Sequence, residues 1–131
     1  MYHAIRLKEN DDLKKSIKEY SKEHNIEAGC VLSGVGCVKH AHIRLAKAVS
    51  FLDEDKDYEI VSITGTISKD GLHIHISLSD EEGNTIGGHL SDGTIINTTC
   101  ELVILELPNY TFTREFDSNT GYDELVINKK W

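Results

Sequence analysis

The sharpest pattern in the chain is Leu72-His73-Ile74-His75-Ile76-Ser77-Leu78, where apolar and polar residues strictly alternate. Successive side chains on a strand point to opposite faces, so Leu72, Ile74, Ile76 and Leu78 form a buried face. His73, His75 and Ser77 then project together from the other. A different period governs residues 9–24. Leu13, Ile17, Tyr20 and His24 recur at spacings of four, three and four, which lines one side of an amphipathic helix. Asn10 or Asp11 is placed to cap it, and Lys14, Lys15, Lys18 and Lys22 fill its solvent side.

The remainder reads as strands and turns. Ala28 to Val35 is small and apolar, and Gly34-x-Gly36 marks a bend or a close backbone approach. Val38 to Leu45 and Tyr58 to Ile67 are strands, with the charged stretch Asp53 to Asp57 as their exposed connection. Lys69-Asp70-Gly71 and Asp80 to Asn84 carry turn chemistry. Thr94 to Leu107 is long and β-branched and ends at Pro108; Thr111 to Phe116 and Glu124 to Ile127 close the chain. One helix among seven or eight hairpin-linked strands predicts an α+β fold, a single domain over residues 1–131 on an antiparallel sheet.

The polar face of the alternating strand is where chemistry enters. Two residues apart on a strand is about 6.5–7 Å between Cα atoms, and imidazoles leaning over that gap can share one cation. Gly87-Gly88-His89-Leu90 supplies a third imidazole from what reads as a constrained loop, the glycines allowing close backbone approach. His73, His75 and His89 are thus candidate metal ligands, with zinc the expected ion, though three imidazoles also accept copper, nickel, cobalt or iron. The plainer alternative is that they are ordinary polar residues on a solvated strand. Glu101, on the polar face of the Thr94–Leu107 strand, is either a carboxylate that orients an imidazole or a surface charge. No Gly-x-Ser-x-Gly, P-loop or His-Glu-x-x-His motif is present.

Charge narrows the partners. The chain has 14 Lys+Arg against 22 Asp+Glu, a formal net charge of −8, which counts against a protein that mainly coats nucleic acid. The one locally basic stretch runs from Cys37 to Ala48 and holds Lys39, His40, His42, Arg44 and Lys47. It is either a nucleic-acid or anion patch, a competing metal site, or a plain strand face. No apolar run approaches a bilayer span, and Met1 to Arg6 lacks a secretory pattern. A cytoplasmic location is therefore expected. Cys30, Cys37 and Cys100 form no C-x-x-C pair, so reduced thiols acting as small apolar residues are the simplest reading.

These motifs together resemble a known family. Gly71 to Leu78 with Ile86-Gly87-Gly88-His89-Leu90, Ser33 to Gly36, Tyr58 to Gly65, Thr99 to Val103, Arg114 to Asp117 and Thr120-Gly121-Tyr122 are similar to the plants-and-prokaryotes-conserved domain over about residues 3–127. The resemblance implies assembly as a homotrimer and makes His73, His75 and His89 the family's metal-type histidines. It also brings a DNA-binding label. In the plant members an AT-hook carries the minor-groove contact, and this sequence has no Arg-Gly-Arg-Pro core. Where those members carry Gly-Arg-Phe-Glu-Ile-Leu for partner contacts, this chain reads Lys56-Asp57-Tyr58-Glu59-Ile60-Val61, so that interaction is not expected. Three functions are compatible with the sequence: a trimeric metal-binding domain acting on or binding a small molecule, a regulatory DNA-binding protein, and a scaffold without chemistry.

Overall fold

The computed structural model describes residues 1–131. Along the chain come β1 (Tyr2–Lys8), α1 (Leu13–Glu23), β2 (Ala28–Arg44), β3 (Phe51–Ser68) and β4 (Gly71–Ser79), then β5 (Thr85–Leu90), β6 (Ile95–Glu106), β7 (Tyr110–Asp117) and β8 (Tyr122–Lys129). Six strands form an antiparallel sheet in the order β1-β6-β2-β3-β4-β5. The sheet curls until β5 also pairs with the end of β2, through Ile43 with Leu90 and Arg44 with His89. β7 and β8 form a separate hairpin. The α+β architecture on an antiparallel sheet is thus as expected. No helix is long and apolar enough to cross a membrane.

Several boundaries move, each for a local reason. The helix begins at Leu13, capped by Asp12 and not by Asn10 or Asp11. The Asp12 carboxylate accepts from the Lys15 N–H at 3.0 Å and from the Gly93 N–H at 2.8 Å, which ties the helix start to the turn before β6. Asp11 is engaged one step earlier, accepting from the Lys8 N–H. Residues 28–44 form one strand where two were expected, because Gly36 does not turn the chain. At φ +154° it keeps the strand extended while β6 passes against it at Thr99 and Cys100. Asp53 to Asp57 is likewise strand and not connection. Its acids sit in register with the basic segment of β2, Asp53 beside His42 and Asp55 beside His40, so opposite charges meet across the ladder.

The core lies inside the curl and beneath α1. Val38, Ala41 and Ile43 of β2, Ile74, Ile76 and Leu78 of β4, and Ile96, Leu102 and Ile104 of β6 are all buried. Leu13 and Ile17 bring the apolar side of the helix onto them, each such side chain contributing about 1.5–3 kcal/mol. His3, which the sequence did not single out, helps dock the helix. Its Nδ1 lies 2.8 Å from the Tyr20 hydroxyl and its Nε2 2.8 Å from Glu106 Oε1, while His24 stacks on Tyr20 at 3.9 Å. All three cysteines are free; Cys100 is buried, and Cys30 and Cys37 are half-buried.

Candidate metal centre

The alternating strand does what its pattern requires. Ile74, Ile76 and Leu78 of β4 are buried, and His73 and His75 stand on the exposed face. The third imidazole comes from a strand and not from a loop, since Gly87, Gly88 and His89 all lie in β5. Packing explains why those glycines are strand residues. A Cβ on Gly87 would lie 2.5 Å from the Ile76 carbonyl oxygen, and one on Gly88 2.6 Å from the Arg44 carbonyl oxygen and 2.7 Å from Ile43 Cγ2. Only bare backbone fits between β4 and β2, and it sets His89 directly opposite His75.

The three rings converge. Centroid separations are 4.9 Å for His73–His75, 5.3 Å for His73–His89 and 5.7 Å for His75–His89, and one nitrogen from each lies within 4.8 Å of the others. Tetrahedral zinc with bonds of about 2.0–2.1 Å needs nitrogens about 3.3 Å apart, so small ring rotations close the set. The electrostatics agree with ligand chemistry. Burial, reinforced by the Arg44 guanidinium, pushes His89 down to about 4. His73 is lowered as well, first by burial and then by His75 and Arg114. Imidazoles held neutral keep a lone pair for a cation. His89 Nδ1 is moreover buried without a hydrogen-bond partner, an uncommon state for a ring nitrogen that lacks a ligand. The residues present therefore fit a divalent metal.

A cleft of about 530 Å³ opens beside His73 and His89. Arg44 lines one side, and Arg114 with Tyr122, Asp123 and Glu124 of the β7–β8 hairpin line another. The sequence showed that hairpin as closing strands and, through Arg114 to Asp117 and Thr120-Gly121-Tyr122, as part of the family resemblance, without placing it at the site. It reaches the cleft through tertiary packing alone.

The other candidate residues lie apart from the three histidines, except Arg44 and Lys47, which line a depression shared with His75 and His89. Glu101 is exposed on β6, between Arg6 of β1 and Val35 of β2, and lines a depression that contains none of the imidazoles. Two residues of the basic stretch, Lys39 and His40, are met by acids from a neighbouring turn and strand. Lys39 Nζ pairs with Glu9 at 2.7 Å. His40 sits between Asp55, 2.5 Å from Nδ1, and Asp53, 2.6 Å from Nε2; these bonds raise its pKa, Asp55 more than Asp53. His42 Nδ1 lies 2.6 Å from the Asp92 carbonyl oxygen. Lys47 is exposed in the turn after β2, and Arg44 faces the cleft.

A curled antiparallel sheet with one docked helix and a histidine cluster on two adjacent strands defines a small α+β domain built around a polar site. The Plants and Prokaryotes Conserved (PCC) domain matches residues 1–108, and the chain belongs to that family. It is 38% identical over 133 residues to the bifunctional protein GlmU of Synechococcus sp. (strain JA-3-3Ab), a match covering 97% of this chain and 20% of that protein. The chain therefore spans about a fifth of that curated relative. A hypothetical protein from Salmonella enterica shares the fold with a TM-score of 0.96 at 30% identity, over 100% of this chain and 95% of that one. A metal-containing protein from Archaeoglobus fulgidus follows at TM-score 0.80 and 27% identity, over 96% and 93% of the two chains. A structure from Bacteroides thetaiotaomicron described as a candidate DNA-binding protein, at TM-score 0.87 and 21% identity over 95% and 91%, speaks to the fold alone.

Proposed function

We propose that this chain is a divalent-metal-binding domain, with zinc as the expected ion, that receives a small molecule at the metal. The observation that carries the reading is the convergence of His73, His75 and His89 within 4.8 Å, with a buried, unpartnered nitrogen on His89. The likeness to a metal-containing relative at 27% identity supports it. The three imidazoles would hold the ion, and a bound ion supplies Lewis acidity toward a ligand that enters the cleft. The chain's own part is positional. Ile74 and Ile76 anchor the histidine strand from below, the two glycines fix His89 beside it, and burial disfavours protonation of His73 and His89.

Assembly as a homotrimer in a reducing, cytoplasmic setting belongs to the same reading. Leu32 and Val35 on β2 and Val61 on β3 expose large apolar side chains, a surface suited to a second copy. Metal content decides the main point. Purified without chelator, the wild-type protein is expected to bind one zinc per chain by elemental analysis. His73→Ala and His89→Ala each weaken zinc at least about tenfold in competition with a chromophoric chelator. Wild type that binds no divalent ion overturns the proposal.

A further inference from the structure

Three convergent imidazoles provide for a cation; the charged groups around them determine what can join it. We propose that the cleft beside the histidines receives a small oxyanion, a carboxylate or a phosphate, clamped between Arg44 and Arg114. The proposal deepens the metal reading and rests on it for the ion, while its arginine half stands on separate observations.

The two guanidiniums flank the triad from opposite sides. Arg44 ends β2 as the register partner of His89. Arg114 comes from β7, and its Nη2 donates to Thr66 Oγ1 at 3.3 Å; Thr66 is in turn the register partner of His73. Both arginines line the same cleft of about 530 Å³ and both are half-buried, a volume that suits a small ligand.

Neither guanidinium is committed to a carboxylate. The ion pairs of the fold are made by Lys39, Lys56, Lys130, His3 and His40. Asp70, which directly precedes the histidine strand, accepts from the Arg114 main-chain N–H at 2.9 Å and makes no ion pair with its guanidinium. Two guanidinium forks without carboxylate partners present donors in the planar geometry that a carboxylate or phosphate accepts. Asp123 and Glu124 stand on the β8 wall of the cleft and disfavour the anion until a divalent ion offsets them. Affinity for the anion should therefore rise when zinc is present.

Calorimetric titration tests this with succinate in one arm and inorganic phosphate in the other, each against metal-free and zinc-loaded protein. At least one anion is expected to bind wild type, more tightly with zinc. Arg44→Gln and Arg114→Gln should each weaken it about tenfold or more, while zinc affinity stays within about threefold. Arg44→Lys and Arg114→Lys, which keep the charge and lose the fork, should fall between; circular dichroism confirms that each variant folds. Absence of binding by both anions, or unchanged affinity in both glutamine variants, overturns the proposal. Failure of wild type to bind zinc would sink the metal reading separately, because the metal-free arm still measures the arginine cleft.

Discussion

His40 holds both ring nitrogens against carboxylates, Asp55 on one side and Asp53 on the other. A neutral imidazole has one N–H to donate, so the doubly bonded ring is the imidazolium, and the raised pKa follows. The unfolded chain returns the ring to about 6.5. The bridge therefore stabilises the fold fully below that value, and its contribution is lost as pH rises through the raised folded value. Urea unfolding of wild type and His40→Gln should show a stability difference that shrinks from mildly acidic to alkaline pH; a difference that grows with pH would contradict the bridge. Cys100 makes an opposite case. Burial pushes its thiol up to about 12, and thiols, unlike thiolates, are poor nucleophiles. In native protein at neutral pH, Cys100 should resist alkylation that it accepts readily once the chain is unfolded.

At the level of elements, β5 depends on having no side chains where it passes between its neighbours. Gly88→Ala would thrust a methyl group against the Arg44 carbonyl oxygen and Ile43, with an expected cost of about 1–3 kcal/mol. Zinc affinity should fall with it, since His89 moves with its strand. Denaturant unfolding and metal competition on the same preparation measure both. Asp12→Ala removes a cap and the bond to Gly93 together, so a loss of about 1–2 kcal/mol is expected by the same unfolding measurement.

These strands also show what a linear reading can and cannot capture. The β4 face was legible because alternation is local and each isoleucine reports its own burial. β5 read as a loop because paired glycines usually mark turns; the crowding that requires them lies on β2 and β4, distant in sequence. Asp53 to Asp57 read as a connection for a similar reason. A charged run looks solvated until its partners, His40 among them, appear across the ladder.

For the whole molecule, the net charge of −8 has to be set beside where the cations are. Lys39 and His40 are paired with acids and Arg44 faces the cleft, which leaves little of the basic stretch for phosphate backbones. Titration with duplex DNA across salt concentrations is expected to show no steep negative slope; a slope near that of several phosphate contacts would favour the DNA reading instead. Sedimentation equilibrium should give three times the mass of one chain, and a monomer would remove the trimer from the proposal. The cleft was the least legible part, for it joins the end of β2, the start of β4 and the closing hairpin. Such a meeting follows from closure of the sheet and not from any segment's own pattern.

The histidines and the cleft also differ in what the chain must accomplish to make them. All three imidazoles belong to one β4–β5 hairpin, so bringing them together closes a loop of fewer than twenty residues. Arg44 arrives only when β2 meets β5, and Arg114 only when the last hairpin docks; both steps are long-range. During refolding the triad can therefore assemble before the wall around it. Pulse-labelled hydrogen exchange should find β4–β5 amides protected ahead of those of β7–β8, so that the chain builds its ligand set first and its enclosure afterwards.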